Sequence, residues 1–524
     1  MTLTDPPVAP SGAGDRLPED SVDPRRWIVL AVLCVNLVLI VAAVSSVNVA
    51  LPKIHDALHA SQTDLQWIVA AYALVFAGLL LPAGAIGDRF GRKGSLQAGL
   101  AIFIGCSLWA GQSGSVGTLV AARASMGVGA ALVMPTTLSI LTNVFPPGER
   151  ARAIAIWAGF AGAGGAIGPL MGGWILDHFF WGSVFFINVA IGGVALVAGA
   201  FLVPSSRDPQ SARLDPTGAL LSIVGFGAFL FAVIEGPDQG WSSTIVLVSF
   251  AIAAIGIGAF VAYEKHRANP MLDVGLFANR RFTTGVITIA MAFFSLFGMF
   301  FTITQYFQFV RGWSPLVAGA AQVPNAVAMI LVAPRSGIFI RRFGQRATVV
   351  GGLCLHGLGF TLLSLSGRHS SYLVTGLGLI LIGVGSGVVF APTTAMVMAA
   401  VPQRRAGMGS AVNDTAREVG GALGIAALGS VLVTAYRSGL SSVLRGAPRQ
   451  VAESARRSVG DAVRIAKGIG GPRGTALAES ARDSFVHGMA SALRFGAATA
   501  LLCAVVVAVL LPRDTHDHDI PADR

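Results

Sequence analysis

A chain of 524 residues in which 54% are hydrophobic and only 12% charged, with a mean hydropathy of +0.70, is too apolar for a soluble globule, whose charged share is about a quarter. Its net charge of +11 would suit a nucleic-acid partner if the basic residues shared one face. They fall instead in short bursts between apolar runs, a pattern of membrane topology.

An apolar run of about 20 residues spans a bilayer as a helix. Fourteen such runs are expected, beginning near residues 27, 64, 96, 118, 151, 184, 216, 244, 282, 317, 348, 372, 407 and 486. The first 26 residues are polar and rich in Pro, Asp and Arg. The apolar run after them is longer than a signal-peptide core, so a disordered cytoplasmic tail is expected there. Cys34, Cys106, Cys354 and Cys503 each stand alone inside an apolar run, with no metal-ligand spacing, and read as small packed hydrophobes.

Basic residues set the orientation. The two tails and the loops holding Arg89, Arg92, Lys93, Arg150, Arg152, Arg207, Arg213, Lys265, Arg267, Arg280, Arg281, Arg341, Arg342, Arg346, Arg404 and Arg405 carry 21 Lys and Arg in all, whereas the short loops of the other face hold only Lys53, Arg311 and Arg368. Both termini are therefore expected in the cytoplasm, with the chain a multi-pass protein of the cytoplasmic (inner) membrane. Residues 436–485 depart from this rule, with nine Lys and Arg against four Asp and Glu on the outer face. Val451, Ala455, Val459, Ala462 and Ala466 recur there at helical spacing, which leaves two readings, a surface amphipathic helix or, as the favoured one, a solvated connector.

The chain also repeats itself. Gly84 to Lys93 is echoed by Gly337 to Arg346, Pro135-Thr-Thr by Pro392-Thr-Thr, and Gly165 to Gly168 by Gly421 to Gly424, at offsets of 253, 257 and 256 residues. Six spans need fewer residues than that, so one extra pair lies between two parallel halves. The expected organisation is a tail (1–26), a six-helix bundle (27–203), a linker with two extra spans (204–281), a second six-helix bundle with the outer loop 436–485 (282–512) and a tail (513–524). A substrate cavity is expected between the halves near the bilayer midplane.

Gly84 to Lys93 gathers Asp88, Arg89, Arg92 and Lys93 around Gly87 and Gly91. That composition reads as a tight turn with a gating charge network, or as a plain loop. Here the chain resembles the major facilitator superfamily, whose loop between helices 2 and 3 has the form G-x-L-x-D-R-x-G-R-K, with Ile86 in place of leucine. Further matches narrow the resemblance to the fourteen-helix drug:proton antiporters: Asn48 to Pro52, Gln66-Trp67, Tyr72, Arg123 with Gly127 and Gly129, Gly164 through Gly173, the P-M-L-D-x-x-L-F stretch from Pro270, Gln305-Tyr306-x-Gln308 with Ser314-Pro315, and Ala406 through Gly421. In order and spacing they cover residues 27 to 512.

The resemblance implies an all-α bundle with a 6+2+6 arrangement, proton-driven export of small lipophilic compounds such as drugs, antibiotics and biocides by alternating access, no cofactor beyond the proton motive force, and protons, lipophilic substrates and membrane lipid as the partners of a monomer. It places Arg123 in proton coupling, Gly164, Gly168, Pro169, Gly172 and Gly173 in a motif that marks exporters, and Asn48, Trp67, Tyr72, Gln305, Tyr306, Gln308 and Asn413 on the substrate cavity. Read without kinship, the glycines form a small-residue stripe for close helix packing and Pro169 can bend its helix. A charge at Arg123 must face the bundle or a wet cavity, or answer a structural partner.

Asp414 and Glu418 lie roughly 10 and 17 Å into the thirteenth span, on one helical face, with Arg417 an i, i+3 neighbour of Asp414. Buried carboxyls can hold a proton while Arg417 favours the anion, so the group reads as a proton carrier or as a static pair. His356 and the phenylalanines of the ninth span (Phe293, Phe294, Phe297, Phe300, Phe301) read chiefly as packing. His516 and His518 sit in an acidic tail with no metal pattern.

No nucleotide, hydrolase or metalloprotease motif is present, which argues against an enzyme or an ATP-driven pump, and two halves with few midplane charges suit alternating access better than a channel. An uptake symporter, and an exporter of an endogenous metabolite or envelope lipid, remain the alternatives. The chain departs from the family at Ala43, where many relatives carry an intramembrane aspartate, at Ser45 for threonine and at Gly182 for arginine. A preference for neutral or singly charged compounds over divalent cations is the expected consequence, with Ala43→Asp improving export of the latter.

Overall fold

In the computed structural model of the protein, residues 24–206, 215–267, 270, 272–401, 406–441, 443–445 and 447–511 are described. Residues 1–23 and the C-terminal tail with His516 and His518, the basic residues Arg207, Arg213, Arg404 and Arg405, and the Asp88 side chain lie outside that description.

The first half comprises α1 (Arg26–Leu58), α2 (Gln62–Phe90), α3 (Arg92–Gly111), α4 (Val116–Val144), α5 (Pro147–His178) and α6 (Ser183–Leu202). An extra pair follows, α7 (Pro216–Gln239) and α8 (Thr244–Lys265). The second half begins with α9 (Arg280–Gln305), prolonged by a π-helical turn (Tyr306–Val310), and continues through α10 (Pro315–Ala320), α11 (Val323–Val332), α12 (Ser336–Leu363), α13 (Tyr372–Ala399) and α14 (Ala406–Leu440). Two short helices, α15 (Arg449–Arg457) and α16 (Val459–Ile469), precede the last, α17 (Gly471–Leu510).

Twelve stretches of the described residues are long and apolar enough to cross a bilayer. One of them, 315–363, crosses twice. Asn325 and Met329 of α11 meet Gly383 and Gly387 of α13, so these helices run parallel, whereas Gly352 and Gly359 of α12 meet Gly385 and Ile382, so α12 runs the other way. The reversal falls at Gly344, whose φ of 79° is left-handed, a conformation that glycine alone adopts without strain. Helix α5 adds a further crossing, for Gly164, Gly168 and Gly172 step along Val41, Ala42 and Ser46 of α1 in parallel. Together these make fourteen.

The repeat seen in the sequence is a repeat of contacts. Gly91, 253 residues before Gly344, turns α2 into α3 with a φ of 118°. Gly99 of α3 packs on the Gly129 carbonyl of α4, as Gly352 of α12 packs on that of Gly385 of α13. Gly168 of α5 sits on the α1 backbone, as Gly424 of α14 sits on that of Phe294 in α9. Without hydrophobic drive between helices in lipid, such close backbone approach supplies the packing contact.

The face with the Gly91 and Gly344 turns is here the turn face; the other, closed over by α15 and α16, is the cap face. The solvated-connector reading of 436–485 does not hold. Ala455, Val459, Ala462 and Ala466 are buried in a cluster with Leu477, Ala481 and Phe485 of α17, because the apolar stripe of the short helices has a partner in the extended start of that helix. The cap also reaches the first half. Ser458 Oγ lies 3.2 Å from His55 Nε2 near the end of α1, and Asp461, the N3 residue of α16, is ion-paired with Arg464.

Candidate functional site

Helix α14 carries a polar network close to the junction of the halves. Asn413 Nδ2 donates to Asp414 Oδ1 at 3.3 Å, and Arg417 Nη1 lies 3.5 Å from the same oxygen. Thr394 of α13 closes the ring, donating to Asn413 Oδ1 at 3.2 Å and accepting from Arg417 Nη2 at 3.4 Å. The guanidinium lies 5.4 Å from the centroid of the Phe293 ring, which stacks on Phe390 at 4.6 Å. Asp414 and Arg417 remain 19% and 33% exposed, enough for water to reach the pair and too little for bulk screening. Gly420, Gly421 and Gly424 press this helix onto α9, with Ala290, Phe297 and Phe294 in contact. That packing fixes the depth of the carboxylates.

Glu418, one turn further on, has a carboxylate oxygen with no protein partner. It acts electrostatically on Tyr72 of α2 and interacts with both Asp414 and Arg417. Tyr72 is fully buried with its ring 4.5 Å beneath the Arg123 guanidinium. Arg123 Nε donates to the Ile68 carbonyl at 3.1 Å, and its two terminal nitrogens have no protein partner. Gly127 lets α4 approach close enough for this, since a Cβ there would stand 2.7 Å from the Tyr72 carbonyl. A charge at such depth costs about 3 kcal/mol, and a ring face returns about 2 kcal/mol when desolvated. Arg123 belongs to the first half and Glu418 to the second.

Among the described residues, the polar and glycine contacts between the halves lie on the cap side of this network. Gln66 packs on Gly429. Gln308, in the π-helical turn, donates to the Val49 carbonyl at 2.8 Å, and Ser314 donates to Asp177 at 3.0 Å. The exporter-motif residues divide between two tasks. Gly164, Gly168 and Gly172 face α1 within the first half, whereas Gly173 meets the backbone of Pro315 and Leu316, and the Pro169 carbonyl meets Gly319, across the seam.

Around the Gly91 turn, Gly84 packs on Pro135, with 3.6 Å from its Cβ position. Arg89 is exposed over Phe90, the Arg92 backbone N–H donates to the Ser206 carbonyl at 2.9 Å, and Lys93 is half-buried. The remaining motif residues disperse. Asn48 is buried on α1 with its amide 3.5 Å from the Val44 carbonyl, Gln305 donates to the Phe301 carbonyl at 3.0 Å, and Tyr306 donates to the Gly367 carbonyl at 2.8 Å, close to the cap. His356 is buried 3.5 Å from Ser386 Oγ.

Trp67 is tied to the extra pair, its indole N–H donating to Glu235 of α7 at 2.9 Å. Glu235 escaped sequence reasoning, as did Asp238, which accepts from Thr63 of α2 at 2.6 Å and pairs with Arg437 of α14. Their signal was a carboxylate inside an apolar span, masked by the nearby Gly-Pro of a helix end. Phe293, Phe390 and Thr394 were missed as partners of Arg417 because each looks like ordinary packing. Ala43 is 1% exposed within a core cluster built mainly from the first half, which does not favour the expected gain from Ala43→Asp. That variant should bury an unpaired carboxylate and lower the yield of folded protein in a detergent-solubility assay.

Two repeated six-helix halves, joined on one face beside buried charges that keep some polar atoms unpartnered, define a membrane transporter. Residues 33–425 match the family model of the Major Facilitator Superfamily, and the chain belongs to that superfamily. It is 36% identical over 485 residues to the multidrug resistance protein Stp of Mycobacterium tuberculosis, covering 90% of this chain and 89% of that protein. It is 35% identical over 490 residues to the multidrug efflux pump LfrA of Mycolicibacterium smegmatis, covering 93% and 97%. A crystal structure of a bacterial homologue of the human lysosomal transporter Spinster, inward-facing and occupied, aligns over 92% of this chain and 98% of that one with a TM-score of 0.64 at 18% identity. That likeness concerns the fold alone.

Proposed function

We propose that the protein exports lipophilic small molecules across the cytoplasmic membrane in exchange for protons, with the turn face cytoplasmic. The observation that carries this reading is that Glu418 and Arg123, a carboxylate and a guanidinium in different halves, both lie within electrostatic range of the buried Tyr72, and each has polar atoms with no protein partner. An anionic Glu418 is drawn toward Arg123 and Tyr72; a protonated one is not, so proton binding alters the preference of the halves for one another. Asp414 and Arg417 supply the second charge, on the same face of α14, and a substrate that competes for it couples its own passage to the proton. Access of protons to this network from the turn side is consistent with the contacts between the halves that, among the described residues, lie on the cap side. The basic turn-face loops support a cytoplasmic assignment, and the multidrug efflux relatives support drug-like substrates. Asp414 and Glu418 supply acidic charge that a substrate can meet, offset in part by Arg417, which favours neutral or singly charged compounds.

Everted vesicles test both the exchange and its direction. With an acid interior, adding a lipophilic fluorescent substrate outside should release protons into the medium, and proton uptake with substrate instead would mean symport. Orientation is read separately on intact cells. A cysteine at the exposed Ser242 or Ser115 should react with an impermeant thiol reagent, and one at the exposed Ser205 should not. Ser113 is unsuited to this purpose because it is buried. The opposite labelling pattern would reverse the assignment of export.

A further inference from the structure

Helices α7, α14 and α17 enclose a groove of about 670 Å³ on the cap-side half of the bundle, on the flank of α14 turned away from Asp414 and Glu418. Its floor is Ala427, Ser430, Val431, Thr434 and Ala435 of α14, its walls Val233 of α7 and Phe495 of α17, and its rim Trp241, Ser438 and His487. From Ala427 to Gly439 the floor runs for about 18 Å. The hydroxyls along it are satisfied in place. Ser430 donates to the Val233 carbonyl at 2.6 Å and Thr434 to the Ser430 carbonyl at 2.8 Å, so the interior is apolar in practice, while the rim at the cap end is polar and aromatic, as at a membrane interface.

We propose that this groove binds an acyl chain of a phospholipid from the cap-side leaflet, and binds it in one conformational state of the transporter. The groove flanks three membrane-spanning helices, where an apolar recess is filled by hydrocarbon and not by water, and its polar rim suits the lipid's glycerol and headgroup region. State dependence follows from which body each wall belongs to. Helix α7 is fastened to α2 along much of its length, through Ile223 against Gly78, Leu74 against Gly227, Trp67 to Glu235 and Thr63 to Asp238. Among the described residues, its polar contacts with α14 lie toward the cap face, at Ser430 and through Arg437 with Pro237 and Asp238. Helix α17 packs on α14 within the second half, Gly488 against Leu432 and Gly496 beside Leu428. When the halves part on the cap face, α7 leaves with α2 and the groove loses a wall. The extra helix pair thus makes a lipid a ligand of the cap-closed state, favouring that state by its differential affinity.

The test uses the full protein in nanodiscs containing a phosphatidylcholine with a photoactivatable group in its acyl chain, with crosslinked residues mapped by mass spectrometry. Crosslinks should concentrate on the groove residues of α7, α14 and α17, and Ala435→Trp, which fills the recess, should remove them while those elsewhere persist. Val431→Phe serves the same purpose if that variant folds poorly. Gly173→Ala, expected to open the cap face, should reduce groove crosslinks. Even labelling around the bundle, or insensitivity to the filling variants, would overturn the site, and equal labelling in Gly173→Ala would overturn its state dependence. Displacement of the lipid probe by a transported lipophilic dye would make the groove a substrate site and overturn the lipid assignment.

Discussion

An Asp414→Asn, Glu418→Gln variant should reach the membrane folded and still bind a lipophilic dye, yet drive no uphill transport when a pH gradient is imposed on vesicles. The substitutions are close in shape, and the network that holds this part of α14 survives them. Thr394 can still bridge Asn413 and Arg417, and Arg417 keeps the Phe293 face. The glycine contacts with α9 are untouched. What disappears is every group on this face of α14 that can change charge by taking up a proton. Without such a change, the attraction between the second half and Arg123 no longer alternates, and binding of substrate has nothing to exchange against. Downhill movement of the dye can persist, because rocking of the halves needs no proton once the charges are neutral. Arg123→Ala should lose gradient-driven transport as well, with an added loss of stability, since it removes the ring contact with Tyr72 and the bond to Ile68. Gradient-driven transport at the wild-type rate in the double variant would remove α14 from the proton path.

Much of this arrangement is legible in the sequence. Span lengths and basic loops depend on local composition, which a bilayer reads residue by residue. The repeat was also visible, and at Gly91 and Gly344 it marks the same left-handed turn, because a backbone demand of that kind leaves a glycine behind. Asp414 and Glu418 stood out because carboxylates inside a span are rare. Their partners did not. Thr394 and Phe293 are ordinary membrane-helix residues whose part in the site depends on α13 and α9 lying beside α14, and no local pattern records that. The same holds for Trp67, whose indole meets Glu235 across 168 positions of chain. The cap was misjudged because charge dominates its composition, while the apolar stripe that docks it is short and made largely of alanine. Ala43 aligns with an intramembrane aspartate of many relatives, whereas packing puts it in the core.

Glycine-to-alanine substitutions in α5 should separate two roles that the sequence motif merges. A methyl group at Gly168 would run into Ser45 Oγ and the Ala42 carbonyl of α1, both in the same half. A clash there opposes folding in every conformational state, so Gly168→Ala should lower the amount of folded protein and its midpoint of thermal unfolding. At Gly173 the added carbon would stand 2.6 Å from the Pro315 carbonyl oxygen and 2.7 Å from the Leu316 Cα. Those atoms are backbone of the opposite half and cannot turn aside. The strain, about 1–3 kcal/mol for one added carbon in a packed site, therefore falls on the cap-closed state alone. Directed against one of two states, such a penalty shifts their ratio by roughly 5- to 150-fold. Gly173→Ala should thus fold normally but rest with its cap face open and transport slowly, because each cycle must pass through the penalised state. Spin labels at Ser115 and Ser371, exposed cap-face positions in the two halves, should report a longer distance than in the wild type, and Gly319→Ala, which meets the Pro169 carbonyl across the same seam, should lengthen it too. An unchanged distance with loss of folded Gly173→Ala protein would place that glycine in the fold and not in the gate.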